Sequence, residues 1–264
     1  MNTIASTLIR SFKFVAVCGL IAAALLVIHN IYRDRTIDRL FREAAGYPSY
    51  FRNSDQSTEA VRRLSTFRNR RSTEALLQLA LGQGEFVAPE TRAEAFSALR
   101  GRNEPGVADT LATLLQPHSG LRSRQGAAKA LQDIPCPDDC IRSILHYLER
   151  ISNGEPNEED RTIFPPGSES WKADQDKDEQ TLYSDLQDIL RRESVTTLSN
   201  LSNIYGLGSD NPSIFALNLV SHMQFQQSCP LLLQSKQALD RRRAVAYRGP
   251  SLEVQTVIAT LHCR

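Results

Sequence analysis

The side chains that could bind a metal or carry out acid–base catalysis are scattered along this sequence. None of its five histidines stands at metal-ligand spacing from another, and no HExxH motif is present. The sequence also contains no GxSxG nucleophile motif, no phosphate-binding P-loop and no dinucleotide fingerprint. We therefore expect a protein that is not an enzyme, with no metal, no cofactor and no small-molecule substrate.

Four of the five cysteines lie outside the apolar N-terminal run and permit two disulfides. Cys136 and Cys140 are separated by Pro-Asp-Asp, a spacing that fits a local disulfide at a turn. Cys229 and Cys263 flank the last two predicted helices, and a bridge between them closes about 35 residues, which stabilises by about 3–4 kcal/mol. We hypothesise that Cys229 and Cys263 pair in an oxidising compartment. Free buried thiols are equally compatible with the composition.

Length and composition limit the class of protein that carries these residues. The chain has 264 residues, of which 41% are hydrophobic and 23% charged, and its formal net charge is +1. These values exclude a disordered chain, a small disulfide-rich fold and a polytopic membrane protein. Basic residues prevail near the N-terminus and acidic ones in the middle, but no segment has the one-sided charge of a nucleic-acid-binding protein. We expect no nucleic-acid partner.

The N-terminal segment predicts a membrane anchor. Residues 14–28 contain no polar side chain, and a helix over residues 14–32 would rise about 28 Å, close to the thickness of the hydrocarbon core. A cleaved signal peptide is the alternative, but no small-residue cleavage site follows the apolar run. We expect a tail and transmembrane helix over 1–32, with residues 14–32 in the membrane, and a juxtamembrane segment over 33–55.

The orientation of this anchor is ambiguous from the charges around it. The arginines that follow the apolar run favour a cytoplasmic body, whereas the short basic tail before it favours the opposite. We favour the second, which predicts a single-pass membrane protein with an extracytoplasmic body.

Residues 56–152 contain three copies of one helical pattern. Ala60 and Leu64 recur 35 residues later as Ala95 and Leu99. A further 32 residues on, the third copy has these positions again, together with the proline of the central turn. Each copy contains two stretches of helix-forming residues with apolar side chains at helical spacing, separated in the second and third copies by a turn with proline. Stacking of such helical hairpins buries a continuous core.

These repeats resemble the HEAT-repeat family, and in particular its short variety first noted in phycobilin lyases. The resemblance is carried by Arg92 to Ala95, Ala98-Leu99, Glu104-Pro105, Leu111 and Leu114-Leu115, and in the third copy by Arg124, Ala127-Ala128, Ala130-Leu131 and Pro137. It implies an all-α fold, a HEAT-like α-solenoid of stacked helical hairpins. Combined with the anchor, the expected architecture is this solenoid behind an N-terminal transmembrane helix.

The rest of the chain predicts an acidic linker and a second helical region. Residues 153–180 are acidic and rich in Pro, Gly and Ser, which is typical of a linker. Residues 181–264 regain helical spacing, and we interpret them as degenerate HEAT-like hairpins. A small β-containing cap is the alternative, because two stretches there are compatible with strands.

The resemblance also implies a function. HEAT-like arrays present the second helix of each pair on a concave face, so we expect a scaffold or adaptor that binds a protein or peptide there. The predicted contact row consists of Glu74, Gln78, Thr110, Thr113, Arg142 and His146. The alternative is a lyase-like or cofactor-handling HEAT-repeat enzyme, which would need polar groups that converge in a pocket.

Overall fold

The computed structural model describes residues 2–46, 54–84, 87–116, 119–153, 169–243 and 250–263. Over these residues the chain forms α-helices and a short 3₁₀ helix, with no strand, so the all-α prediction is confirmed and the β-containing cap is excluded for the part described. The helices are α1 (Asn2–Ala44), α2 (Ser54–Ser65), α3 (Arg70–Ala80), α4 (Pro89–Leu99), α5 (Val107–Thr113), α6 (Leu121–Leu131), α7 (Asp138–Ser152), α8 (Glu169–Arg192), α9 (Ser194–Tyr205), α10 (Ile214–His222), α11 (Cys229–Arg243) and α12 (Ser251–Thr260). The chain divides into two compact units, Met1–Ala98 and Leu99–Arg264.

The predicted membrane anchor is wrong. No helix in the described part of the chain combines the length and apolarity that a bilayer crossing requires. The side chains of α1 are described from Leu20 onwards, and from there the apolar run ends at Ile28; Arg33, Asp34 and Arg35 follow in the same helix. The predicted localisation, a single-pass membrane protein with an extracytoplasmic body, is therefore not supported.

The first unit is built around the C-terminal part of α1, which was expected to be a juxtamembrane segment. Ile37 and Leu40 are fully buried, and this part of α1 packs against α2 and α3. Arg71 of α3 donates hydrogen bonds to Asp38 of α1, the shortest of 2.7 Å, and lies 3.5 Å from Asp34. The buried Ile37 and Leu40 and these exposed ion pairs hold α1 against α2 and α3. Burial of the apolar side chains contributes most of the stabilising free energy, because exposed ion pairs contribute little.

The second unit contains α5 to α12 around a core of aliphatic side chains. Helix α5 packs against α6 and α7, α6 against α8, and α7 against α9, while α12 packs against α10 and α11. The stripes predicted from helical spacing supply this core, because their residues are almost fully buried: Leu111, Ile141, Ile144, Leu148, Leu182, Leu186, Ile189, Leu190, Val254 and Val257. The predicted linker is shorter than expected, since α8 begins at Glu169; residues 154–168 lie outside the described residues.

One arginine joins the end of α8 to the end of α6 in the second unit. Arg192, at the end of α8, donates hydrogen bonds to the backbone carbonyl oxygens of Leu131, Gln132 and Ile134. These carbonyls lie at and just after the end of α6, where the helical N–H donors run out, and the Leu131 oxygen also accepts from the backbone N–H of Ile134 over 3.3 Å. Next to it, Asn200 of α9 donates to Asp138 at the start of α7 over 2.7 Å. The α8–α9 junction is thereby fixed to the α6–α7 turn.

The repeated positions of the sequence make a repeated contact. Arg92 and Arg124 each stand three residues before a fully buried alanine of the pattern, Ala95 and Ala127. Arg92 Nε donates to the backbone oxygen of Ala80 over 3.4 Å, and Arg124 Nη1 donates to that of Ser119 over 2.7 Å. In both copies the arginine thus reaches back to a carbonyl that precedes its own helix.

We expect Leu111→Ala to lower the free energy of unfolding by about 2–5 kcal/mol, because it leaves a cavity at a side chain that is fully buried in the second unit. Leu252→Ala is the matched control: this leucine of α12 is 72% exposed, and its loss should change stability by less than about 0.5 kcal/mol. Urea unfolding followed by circular dichroism measures both. Equal effects of the two substitutions would contradict this packing.

Candidate functional site

An open groove in the second unit brings together residues that are far apart in the sequence. Its volume is about 880 Å³. It is lined by the end of α7, the end of α9, the connection to α10 and the start of α12. The lining residues are Glu149, Asn203, Ile204, Tyr205, Gly206, Asn211, Pro212, Ser213, Ile214, Pro250 and Glu253.

The shape of the groove depends on a glycine at the end of α9. Gly206 has a φ of 68°, in the left-handed region that favours glycine, and it ends the helix as its sequence position predicts. A Cβ atom at this position would lie 3.0 Å from both the backbone oxygen of Asn211 and Oγ of Ser209. After the turn, the backbone N–H of Ser213 donates to the carbonyl oxygen of Tyr205 over 2.8 Å. The chain therefore folds back on the end of α9 before α10 begins.

A tyrosine and a glutamate meet at the wall of the groove. Tyr205 Oη donates a hydrogen bond to Glu149 Oε2 over 3.0 Å. The Tyr205 ring also contacts the Phe215 ring, with 5.1 Å between the centroids, and Tyr205 is only 9% exposed. His146 Nδ1 lies 3.8 Å from the same glutamate oxygen. The Glu149 carboxylate on α7 is thus held in place by Tyr205 of α9 and by His146 of its own helix.

Burial and the neighbouring carboxylate raise the pKa of Tyr205 above the ordinary value for tyrosine. Burial makes the largest contribution, followed by the hydrogen bond to Glu149 and the repulsion between that carboxylate and a tyrosinate. Tyr205 therefore stays protonated through the neutral range and remains a hydrogen-bond donor to Glu149.

The rim of the groove combines apolar and polar side chains. Ile204 and Ile214 are 48% and 58% exposed, on α9 and α10. Glu253, in the first turn of α12, and Asn211, in the turn before α10, are also exposed. Such a surface can hold apolar side chains on the isoleucines and hydrogen-bond donors on the carboxylates and the amide.

The structure places the predicted contact row partly beside this groove. Glu74 and Gln78 belong to the first unit, and Glu74 accepts a hydrogen bond from Arg70 over 2.7 Å. In the second unit, His146 borders the groove through Glu149, and Arg142 lies one turn before it.

The other members of the row make local contacts. Arg142 pairs with Asp138 and with Asp139, the latter over 3.2 Å. Thr110 and Thr113 donate their hydroxyls to backbone oxygens within the same segment, Gly106 and Thr110 respectively. Of the six predicted residues, His146 is the one that contacts a residue lining the groove.

The structure joins the four cysteines in the two pairs considered from the sequence. Cys136 is bonded to Cys140, and Cys229 to Cys263. The first pair is buried, with Cys136 3% and Cys140 0% exposed, whereas both cysteines of the second pair are half-buried. The first bridge lies at the turn that Arg192 holds, and the second ties α11 to the end of α12.

Comparisons with known proteins add no relative: no family model, no curated protein and no solved structure matches the chain. Within the described residues there is also no group of three or more His, Cys, Asp or Glu side chains arranged to hold a metal ion.

Sequence reasoning did not find the groove, because its residues come from four elements. Helical spacing groups Tyr205 with the apolar residues of its helix, and Glu149 and Glu253 have no spacing that links them. One signal was present: Ile204 and Ile214 lie outside the apolar stripes of their helices and on either side of a helix-ending glycine. Exposed apolar residues are common on protein surfaces, so this signal gains meaning only from the groove that the two isoleucines share.

We expect mild reduction to open the Cys229–Cys263 bridge before the Cys136–Cys140 bridge. The reductant must reach a sulfur atom to attack it, and the half-buried Cys229–Cys263 bridge is more accessible than the buried Cys136–Cys140 bridge. Protein purified without reductant is treated with increasing phosphine, trapped with one maleimide, fully reduced and labelled with a second, and then mapped by mass spectrometry. Earlier labelling of Cys136 and Cys140, or four free thiols at the outset, would contradict the expectation.

The raised pKa of Tyr205 predicts a loss of stability in alkali. Above pH 10 the tyrosine ionises in the unfolded chain while it stays protonated in the folded one. The unfolded state then binds fewer protons, so stability falls as pH rises, by up to about 1.4 kcal/mol per pH unit from this group. Tyr205→Phe should remove this contribution. Urea unfolding between pH 9 and pH 11 measures both slopes, and equal slopes would show that the tyrosine is not protected.

Proposed function

We propose that the protein is a non-catalytic interaction scaffold that binds a protein partner in the groove of its second unit. The observation that carries this proposal is the pair of exposed isoleucines, Ile204 and Ile214, beside the carboxylates of Glu149 and Glu253.

The physical chemistry of this surface favours binding. Apolar side chains that lie in water at a concave surface gain about 25 cal/mol for every Å² that a partner covers. The polar groups around them fix the orientation of the partner and distinguish it from others. The groove is preformed, since Gly206 and the Tyr205–Glu149 hydrogen bond hold its walls, and a preformed site costs less entropy to occupy.

We place this scaffold among HEAT-like helical-repeat proteins. Three features support the assignment: the repeat of about 32–35 residues in the sequence, the two helices within each copy, and the repeated backbone contact of Arg92 and Arg124. Stacking of the pairs into a solenoid with the predicted contact row on its concave face belongs to this proposal. Within the second unit, the position of His146 beside Glu149 supports a contact surface that includes His146 and the groove.

The alternative of a lyase-like or cofactor-handling enzyme makes a different prediction. Such a protein would retain a small molecule through purification, which native mass spectrometry of the full chain detects as added mass. A scaffold of the kind proposed here gives the mass of the chain alone, with the losses expected for its disulfides.

Site-specific photocrosslinking in cells that express the full chain tests the binding function. A photoreactive amino acid replaces Ile204 in the groove, and in a second strain it replaces Val195, which is 83% exposed on the same helix but does not line the groove. We expect Ile204 to yield a discrete crosslinked species and Val195 to yield none, because only the first is covered by the partner.

The identity of the crosslinked protein is then determined by mass spectrometry. Ile214→Asp, combined with the photoreactive group at position 204, should abolish the crosslinked species, since it places a charge on the opposite rim. No crosslinked protein from position 204, or the same species from both positions, would refute the groove as the binding surface.

A further inference from the structure

We propose that the groove takes a segment of a protein partner in which a lysine or arginine is flanked by apolar side chains. This inference rests on the proposed function and specifies the chemistry of the partner. It follows from the charges, the free hydrogen-bonding groups and the exposed apolar side chains around one cavity.

The charge of the groove is one-sided. Its described lining includes two carboxylates, Glu149 and Glu253, and no lysine, arginine or histidine. Glu253 makes no ion pair or hydrogen bond through its side chain with the described residues, so its charge is available to a ligand. A cationic side chain is therefore attracted to this cavity, and a phosphate or carboxylate is repelled from it.

Glu149 is oriented to receive a donor. The tyrosine hydroxyl occupies Oε2, while no described residue donates a hydrogen bond to Oε1. The glutamate side chain is 31% exposed, so Oε1 can still be reached from the groove. A carboxylate that is already held in place loses little rotamer freedom when a ligand binds, which strengthens a charge-assisted hydrogen bond to lysine or arginine.

The rim specifies what flanks the cation. Ile204 on α9 and Ile214 on α10 offer apolar contact on either side of the turn that follows Gly206, and the exposed amide of Asn211 can pair with the backbone of a bound segment. The volume of about 880 Å³ far exceeds one side chain and suits several residues of a chain. A single free amino acid would leave most of this surface in water.

A divalent cation fits the groove less well than a basic side chain. Calcium takes about 6–8 oxygen ligands, and two carboxylates with one amide fall short of that number. A bound metal ion or a bound anion would make no contact with the isoleucines. A basic residue between apolar neighbours would contact the carboxylates, the amide and the isoleucines.

The test uses fluorescein-labelled peptides of nine residues and the full-length chain. The central residue is arginine, lysine, alanine or glutamate, and its neighbours are leucine or serine. Fluorescence anisotropy is expected to show binding for arginine and lysine between leucines, and to show at least tenfold weaker binding with alanine or glutamate in the centre or with serine flanks. Binding should also weaken as salt is raised.

Variants of the chain locate the binding. Glu149→Gln should weaken the binding of the arginine peptide about tenfold, because a neutral amide replaces the restrained acceptor. Glu253→Gln should weaken it about two- to fivefold, as expected for an exposed pair. Asp178→Asn is the matched control: it removes one exposed negative charge outside the groove and should leave binding within twofold. Circular dichroism of each variant establishes that it is folded.

Three results would overturn the inference. The first is equal binding of the glutamate-centred and arginine-centred peptides, or equal binding by Glu149→Gln and Asp178→Asn. The second is no binding of any peptide while the group at position 204 still crosslinks a partner, which would refute the chemistry assigned to the partner and leave the proposed function standing. Loss of both the crosslink and peptide binding would refute the groove itself.

Discussion

The second unit depends on the hydrogen bonds that Arg192 donates to the end of α6. The carbonyls of Gln132 and Ile134 lie beyond the end of α6, and the Leu131 carbonyl also accepts from the backbone N–H of Ile134. A hydrogen bond from a charged donor to such a group contributes about 1.5–3 kcal/mol when it is shielded from water, and less at an exposed position. A single planar guanidinium donates to all three carbonyls, and it does so from the last turn of α8. The position of α9 follows, because α9 begins only two residues later and touches α7 at Asp138 and again at Glu149.

The groove is a consequence of that placement. Once α9 contacts both ends of α7, Tyr205 reaches Glu149, and the helix must end there, since the next residue is a glycine in the left-handed region. The turn after Gly206 then carries Ile214 back towards the same wall. The hydrogen bonds of Arg192 and core packing together position these helices, and the chemistry of the cavity comes from side chains at helix ends and in the loops between them, where binding residues commonly occur.

Much of this fold could be predicted from the sequence, because apolar side chains at helical spacing identify buried faces. Leu186, Ile189 and Val254 are buried as that spacing requires, and Gly206 ends α9 as expected. The groove could not be predicted, because Glu149, Tyr205 and Glu253 meet only through the packing of α7, α9 and α12. The predicted anchor is wrong, because no described helix combines the length and apolarity of a membrane span, and the helix that holds the apolar run continues through charged residues into the core of the first unit.

The bond between Cys229 and Cys263 changes what a cut in the last part of the chain would do. The two sulfurs enclose α11, α12 and the connection between them, so cleavage of any one peptide bond in that interval yields two fragments that remain covalently attached. Nicked and intact molecules would migrate together on a denaturing gel run without reductant and separate only after the sulfurs are reduced. The C-terminal helix can thus survive proteolysis as part of the molecule, docked against α10 and α11, when its own backbone is no longer continuous with them.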